Sequence, residues 1–169
     1  GLGNADDSAF FGIMRGEPGL PDDPINYPRR YRVDLRAGKV EESVIDSSAN
    51  YELPVVSAAE RALPHTHAYM IQADRGEVFA RSLGQLHGQT LERRSYGFDE
   101  GEYVSEPVML DHVGGERGRW IASQIYNAAE RASYFAILDD ENFSAGPVAR
   151  IKLRHHVPLS FHGHWSPLV

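Results

Sequence analysis

Residues 30–45 read RYRVDLRAGKVEESVI, and this stretch decides the fold class. Polar and apolar side chains alternate along residues 30–35, which is the period of a strand with one buried face. Residues 36–39 contain Gly38 and form a tight connection, and residues 40–45 follow as a return strand. Two such runs joined by a short turn that contains glycine predict an antiparallel β-hairpin.

The C-terminal half of the chain repeats this organisation. A run that ends in aspartate, at residues 134–139, passes through a polar turn and returns as a second run at residues 148–153. Strand–turn–strand units of this kind build the blades of β-propellers, although β-sandwiches and barrels also contain them. No WD or Kelch signature accompanies the repeat, so these three architectures stay open at this point.

Further short segments between glycine, proline, aspartate and asparagine are also predicted as strands, and helices are limited to single turns. One turn is predicted at residues 57–62 and another at residues 140–145, the latter capped by Asp139 or Asp140. The chain is therefore predicted to be all-β. The further predicted strands are residues 67–73, 77–83, 89–95, 119–126 and 133–139.

The composition excludes several classes of protein. The chain has 169 residues with 17 Lys plus Arg and 24 Asp plus Glu, so its formal charge is −7. Binding to nucleic acid depends on neutralising phosphates with Lys and Arg, so we expect no nucleic-acid partner. There is no cysteine, which excludes disulfides and thiolate metal sites. No apolar run approaches the ~20 residues of a membrane-spanning helix, and we expect a cytoplasmic protein.

One of the eight histidines stands in unusual surroundings. His162 lies between Phe161 and Gly163, with Trp165 shortly after it. A histidine in an apolar stretch needs a metal, a carboxylate or a carbonyl as its partner, because a buried polar group without one costs a few kcal/mol. Gly163 would allow backbone or ligand to approach closely. His65 and His67 are expected to be exposed at a strand start. The remaining histidines are expected to be solvated or hydrogen-bonded: His87, His112, His155, His156 and His164.

Two glutamates are also surrounded by apolar residues. Glu52 lies in YELPVV at residues 51–56, and Glu106 lies in SEPVML at residues 105–110. An ionised glutamate is almost never fully buried without a partner. Either carboxylate could accept the N–H of a metal-bound histidine and so orient its ring. The alternative is an edge-strand glutamate that faces solvent.

The C-terminal stretch that carries His162 resembles a known signature. Residues 146–165 read GPVARIKLRHHVPLSFHGHW, which is similar to the C-terminal segment of the carotenoid cleavage oxygenase family. That family includes apocarotenoid oxygenases, stilbene-cleaving dioxygenases and the retinal pigment epithelium isomerase. YELP at residues 51–54 and SEPV at residues 105–108 resemble two further family motifs, in the family's order. The resemblance extends over residues 28–167.

This resemblance implies a seven-bladed β-propeller with Fe(II) on its axis, held by four histidines. His162 would be the last of the four ligands, and Glu52 and Glu106 would be two of three glutamates that accept hydrogen bonds from iron-bound histidines. The other three histidines of the family lie N-terminal to this segment. We therefore expect residues 1–169 to be a C-terminal fragment of one propeller domain, with about three blades and an irregular stretch at residues 1–28.

The implied activity is that of an Fe(II)-dependent dioxygenase, which cleaves a conjugated C=C bond of a carotenoid or apocarotenoid with O2. The partners would be an apolar polyene or stilbene and O2, with peripheral membrane contact through the N-terminal part of the family fold. The fragment alone is expected to be inactive, because a single histidine does not retain iron. Two alternatives are a stilbene-cleaving dioxygenase of the same family and a non-catalytic β-propeller binding module.

Overall fold

The structure is a computed structural model, and it describes residues 26–111, 119–158 and 162–166. Apart from two 3-10 turns, its regular elements are strands, so the all-β prediction is confirmed. No helix in these ranges is long and apolar enough to cross a membrane. The strands are β1 (Arg29–Asp34), β2 (Lys39–Val44), β3 (Asn50–Val55), β4 (His67–Ala73), β5 (Ser82–His87), β6 (Arg93–Gly97), β7 (Glu102–Val104), β8 (Val108–Leu110), β9 (Trp120–Asn127), β10 (Ala132–Asp139) and β11 (Pro147–Lys152).

The chain divides into two compact units. The first comprises Gly1–Glu52 and Ala73–Val78, and within its described part lies the predicted hairpin of β1 and β2. The two strands pair antiparallel, and the turn between them is closed by the carboxylate of Asp34, which accepts hydrogen bonds from the backbone N–H groups of Arg36 and Ala37. Gly38 adopts a φ of 62°, the left-handed conformation that glycine adopts at no steric cost. The hairpin prediction is confirmed.

The second unit, Leu53–Gln72 and Phe79–Val169, contains most of the strands. One sheet has the order β11-β10-β9-β7, with β8 also paired to β9, and another has the order β3-β4-β5-β6. The described neighbours pair antiparallel, as expected from short connections. Whether the whole chain is one domain stays a prediction.

The core of the second unit lies against the two central strands β9 and β10. Ile121, Ile125, Ala136 and Leu138 have no measurable exposure. Burying an Ile or Leu side chain stabilises a fold by roughly 1.5–3 kcal/mol. These two strands are therefore the rigid base from which the neighbouring strands and loops are positioned.

Strands β7 and β8 lie end to end along the same partner. Val104 is opposite Ile125 and Val108 is opposite Ala122, so both strands pair with β9. Residues 105–107 interrupt the ladder between them, and Pro107 is fully buried there. Proline has no N–H to donate to the ladder, which fits the break in pairing at this position. Glu106 lies in the middle of the interruption.

Two predicted strands are displaced. Residues 77–81 are irregular, and β5 instead runs from Ser82 to His87, while residues 88–90 form a turn before β6. The turn forms there because Nδ1 of His87 accepts hydrogen bonds from the backbone N–H groups of Gln89 and Thr90. Strands β3, β7 and β8 were not predicted as strands.

The 3-10 turns agree with the prediction in place but not in capping. The first, Ala58–Glu60, is capped by Ser57, whose Oγ accepts a hydrogen bond from the N–H of Ala59. The second, Phe143–Ala145, begins after Asn142, whose side chain makes no cap bond. The N-cap residue is therefore Asn142 and not, as predicted, Asp139 or Asp140. Asp139 accepts hydrogen bonds from the N–H of Glu141 and the side-chain amide of Asn142 just before the turn, and Asp140 accepts one from the distant Gln85.

Candidate functional site

The carboxylate of Glu106 holds the C-terminal segment at two neighbouring residues. Its Oε2 accepts a hydrogen bond of 2.7 Å from the backbone N–H of Gly163, and its Oε1 lies 3.3 Å from Nδ1 of His162. Only 12% of the Glu106 side chain is exposed, against 78% for His162. The 2.7 Å contact has the length of a charge-assisted bond, whereas 3.3 Å is slightly longer than the usual range. The structure thus brings together two of the three predicted site residues.

This contact selects one form of the imidazole. An ionised carboxylate only accepts hydrogen bonds, so the Nδ1 atom that faces Glu106 carries the proton in the neutral ring. The lone pair is then on Nε2, which is the nitrogen that a metal ion would bind. Glu106 also supplies negative charge beside the ring, and this makes the imidazole a stronger ligand. His162 and Glu106 therefore have the arrangement that a metal-bound imidazole and its supporting carboxylate would need.

Gly163 lies where a larger residue would be crowded. A Cβ atom at this position would lie 3.1 Å from Cγ2 of Val108, closer than most carbon contacts in proteins. Val108 begins β8, just after the interruption that carries Glu106. A larger residue would need Val108 or the segment to shift by a few tenths of an ångström. The expectation that Gly163 permits close approach is confirmed for the backbone.

Glu52 lies in a different environment. It is exposed on β3, and its Oε1 accepts a hydrogen bond of 2.8 Å from the side-chain amide of Asn26. Within the described parts of the chain, Asn26 is the hydrogen-bond partner seen at this carboxylate. Leu53 follows with a φ of 52°, a strained conformation for a residue before proline. The predicted role of Glu52 toward an iron-bound histidine stays a prediction.

His67 does not have the exposed position that was expected. Only 15% of its side chain is accessible, and its Nδ1 lies 2.7 Å from Oδ1 of Asp140, although it is not aligned as a regular hydrogen bond. The same carboxylate oxygen accepts hydrogen bonds from the hydroxyl of Tyr69 and the amide of Gln85. Burial and the neighbouring carboxylate raise the pKa of Tyr69, so its hydroxyl remains a donor. The ring of His87 packs edge-on against His67.

This Asp140 cluster (His67, Tyr69, Gln85 and Asp140) is a buried polar network that sequence reasoning missed. Its members come from two strands and a loop, and their spacing in the sequence carries no local pattern. A second buried carboxylate, Glu102, accepts hydrogen bonds from Tyr134 and Asn127 and was also missed. Buried carboxylates with several donors generally stabilise a fold. We assign both clusters to the fold.

The other histidines are not gathered into a metal site. In residues 26–111, 119–158 and 162–166, no group of three or more His, Cys, Asp or Glu side chains could hold a metal ion. His164 is exposed beside His162, and His112 lies outside the described residues. His162 with Glu106 would therefore supply a single imidazole to a metal ion, and none of the described residues is grouped with it as a further ligand.

Comparison with known proteins identifies the fold and its relatives. The family model described as "Retinal pigment epithelial membrane protein" matches residues 5–167. Apocarotenoid-15,15'-oxygenase from Synechocystis is 28% identical over 141 residues, which is 81% of this chain but 29% of that protein. The crystal structure of cobalt-substituted Synechocystis apocarotenoid oxygenase has a TM-score of 0.74 at 26% identity and covers 84% of this chain and 30% of that chain.

A more distant structure shares the fold alone. Pseudomonas brassicacearum lignostilbene dioxygenase has a TM-score of 0.73 at 20% identity, covering 82% of this chain and 32% of that chain. The chain thus spans less than a third of the length of these relatives. Because the family match extends over nearly the whole sequence, the chain belongs to the retinal pigment epithelial membrane protein family, which is the family of the carotenoid cleavage oxygenases.

Proposed function

We propose that the protein is an Fe(II)-dependent dioxygenase that cleaves a conjugated C=C bond of a carotenoid or apocarotenoid with O2, and that His162 is one of its iron ligands. The observation that carries the proposal is the contact of Glu106 with both His162 and Gly163. It joins two motifs that are separated by more than fifty residues, in the arrangement that a metal-bound imidazole requires.

The residues present fit one position of such a metal site. A neutral imidazole nitrogen suits Fe(II), and the carboxylate behind it offsets part of the positive charge. Bound iron would supply the redox chemistry with O2, while the chain itself holds the ring in one tautomer and one place. Further histidine ligands belong to parts of the protein outside the described residues. Glu52 is proposed as a second supporting carboxylate, and the complete fold as a seven-bladed propeller to which this chain contributes about three blades.

The relatives support the choice of substrate. Synechocystis apocarotenoid-15,15'-oxygenase is named for an apocarotenoid, and the cobalt-substituted structure of the Synechocystis enzyme indicates a metal site in that protein. Polyenes of this kind partition from water into lipid because their surface is apolar. We therefore propose a cytoplasmic enzyme with peripheral contact to a membrane. A stilbene remains the second substrate class to be tested, and a non-catalytic propeller is the alternative.

The test compares His162→Ala with His164→Ala in the complete protein. Loss of the ligand is expected to strip the iron and abolish cleavage of an apocarotenoid, because nothing replaces the imidazole. His164→Ala is the matched control, since it removes an exposed histidine two residues away. Metal content by atomic absorption and turnover of apocarotenoid and stilbene substrates are measured side by side.

Three results would contradict the proposal. If the His164 variant lost iron while the His162 variant kept it, the ligand would be wrong. If the wild-type protein bound no iron, the non-catalytic alternative would be correct. If a stilbene were cleaved and no apocarotenoid were, the substrate class would be wrong.

A further inference from the structure

The segment that leads to His162 is held by a buried glutamine. Gln124 lies in the middle of β9 and is 7% exposed. Its side-chain Nε2 donates hydrogen bonds to the backbone carbonyls of Val157 and Pro158, both at 3.0 Å. An amide NH2 group has two hydrogens, so both are used on this one segment. The chain is therefore fixed a few residues before His162.

The backbone of the same residue fixes the other partner. The carbonyl of Gln124 accepts a hydrogen bond of 2.9 Å from the N–H of Ser105, the residue before Glu106. The carbonyl of Ser105 in turn accepts a hydrogen bond of 2.8 Å from the hydroxyl of Ser123. The backbone just before Glu106 is therefore bound to β9, even though residues 105–107 are not part of β7 or β8.

Two neighbours on the sheet strengthen the hold on the segment. Ser133 of β10 is fully buried, and its hydroxyl donates to the carbonyl of Val157 and accepts from the N–H of the same residue. Ser133 is opposite Tyr126 in the strand register, so both side chains lie on the face that carries Gln124. The ring of Tyr126 packs edge-on against His156, at 5.1 Å between centroids. One face of the β9–β10 pair therefore anchors residues 156–158.

We propose that Gln124 is a positioning residue that sets the distance between Glu106 and His162 by binding the two chain segments that carry them, with Ser133 as its support. The proposal rests on the proposed function, in which His162 is an iron ligand. Ligand geometry has to be held within about 0.5 Å, and this needs neighbours whose own conformations are locked. Gln124 meets that condition because it lies on the most buried strand and uses its backbone for one segment and its side chain for the other.

The test uses the complete protein with Gln124→Leu, which keeps the size of the side chain and removes both donors. Gln85→Leu is the matched control: Gln85 is also buried on a strand and also donates two hydrogen bonds, but to Asp140. The first measurement is hydrogen–deuterium exchange at the Gly163 amide in metal-free protein. The second is the rate at which iron is lost to a chelator from the loaded protein.

Gln124→Leu is expected to raise exchange at Gly163 by about 4- to 100-fold, because it removes two neutral hydrogen bonds and each contributes roughly a factor of 2 to 10. Iron loss should become about tenfold faster or more, whereas Gln85→Leu should change neither quantity beyond its effect on overall unfolding. Equal effects of the two variants, or no effect of Gln124→Leu, would overturn the proposal. If Gln124→Leu does not fold, Ser133→Ala replaces it, because it removes the hydrogen bonds of the Ser133 hydroxyl to Val157. It should also raise exchange at Gly163 and speed the loss of iron, and no effect would overturn the proposal. Because exchange is measured without metal, a protein that binds no iron would refute the proposed function and leave this test valid.

Discussion

Replacing Glu106 by glutamine exchanges one carboxylate oxygen for an NH2 group, removes the negative charge and leaves the shape of the side chain intact. Glutamine has one oxygen and one NH2 group, and the shorter contact, 2.7 Å to the N–H of Gly163, needs the oxygen. The NH2 group would then face Nδ1 of His162, which must become an acceptor. The proton of the neutral ring moves to Nε2, and the nitrogen that would bind iron has lost its lone pair.

The size of the effect follows from the bonds that are lost. A hydrogen bond to a charged group contributes roughly 1.5–3 kcal/mol, and about 1.4 kcal/mol is a factor of ten. Glu106→Gln in the complete protein should therefore weaken iron retention about 10- to 100-fold, as is usual for residues that support a ligand. Folding should change little, because the bond to Gly163 is kept. Glu52→Gln is expected to have an effect of the same size if Glu52 orients a histidine that lies outside this chain.

The assay is competition for iron with a chelator, together with turnover of an apocarotenoid and the thermal midpoint of each variant. Glu106→Ala serves as a second comparison: it also removes the acceptor for Gly163, so it should lower the midpoint where Glu106→Gln does not. Wild-type iron retention in Glu106→Gln would refute the reasoning, because the tautomer would then be set by something other than the carboxylate. If only Glu52→Gln retained iron as the wild type does, Glu52 would have no role at the metal site and would be an exposed residue of β3.

Two further predictions concern stability and are checked by chemical or thermal unfolding. Asp140→Ala should destabilise the protein by about 2–5 kcal/mol, because it leaves the buried hydroxyl of Tyr69 and one N–H of Gln85 without an acceptor, while the bond of Gln85 to the backbone carbonyl is kept. Asp140→Asn should cost about 1–2 kcal/mol, and an Ala variant as stable as wild type would show that the network is not needed. The hydrogen bond from Arg119 lowers the pKa of Glu60 below its ordinary value of 4.5. This ion pair therefore stabilises the fold above that pH, and its contribution is lost as the pH falls through the folded pKa. The Arg119 side chain is 36% exposed, so solvent weakens the ion pair. Glu60→Gln should lower the free energy of unfolding by only about 1 kcal/mol at pH 7, and by less at pH 4. A loss of stability that is equal at both pH values would contradict the role of this ion pair.

The parts of the fold that were predictable from sequence are those with a local pattern. The β1–β2 hairpin and strands β4, β9, β10 and β11 were placed within one or two residues, because alternation or short runs between turn residues mark them. β5 was displaced because its centre is buried on both faces and does not alternate. β7 and β8 have three residues each, which is too short for any periodic signal.

The candidate site divides in the same way. His162 and Glu106 could be named because each lies in a recognisable motif, and the structure then brought them together. Gln124 and the Asp140 cluster could not, because a buried polar side chain gives no sign in the sequence of which distant group it meets. Sequence also did not predict that Glu106 binds the backbone N–H of Gly163, since that contact depends on the break between β7 and β8.

The carboxylate of Glu106 contacts two neighbouring residues of the same segment, so each contact favours the other. When Oε2 accepts the hydrogen bond from the N–H of Gly163, Oε1 is held close to the imidazole of His162. The second contact is then intramolecular and has a high effective concentration. This contact restricts the rotation of the exposed imidazole in the metal-free protein, so the proposed binding of a metal ion would cost less conformational entropy. If His162 binds iron as proposed, the ion would meet an imidazole whose orientation is already set by Glu106.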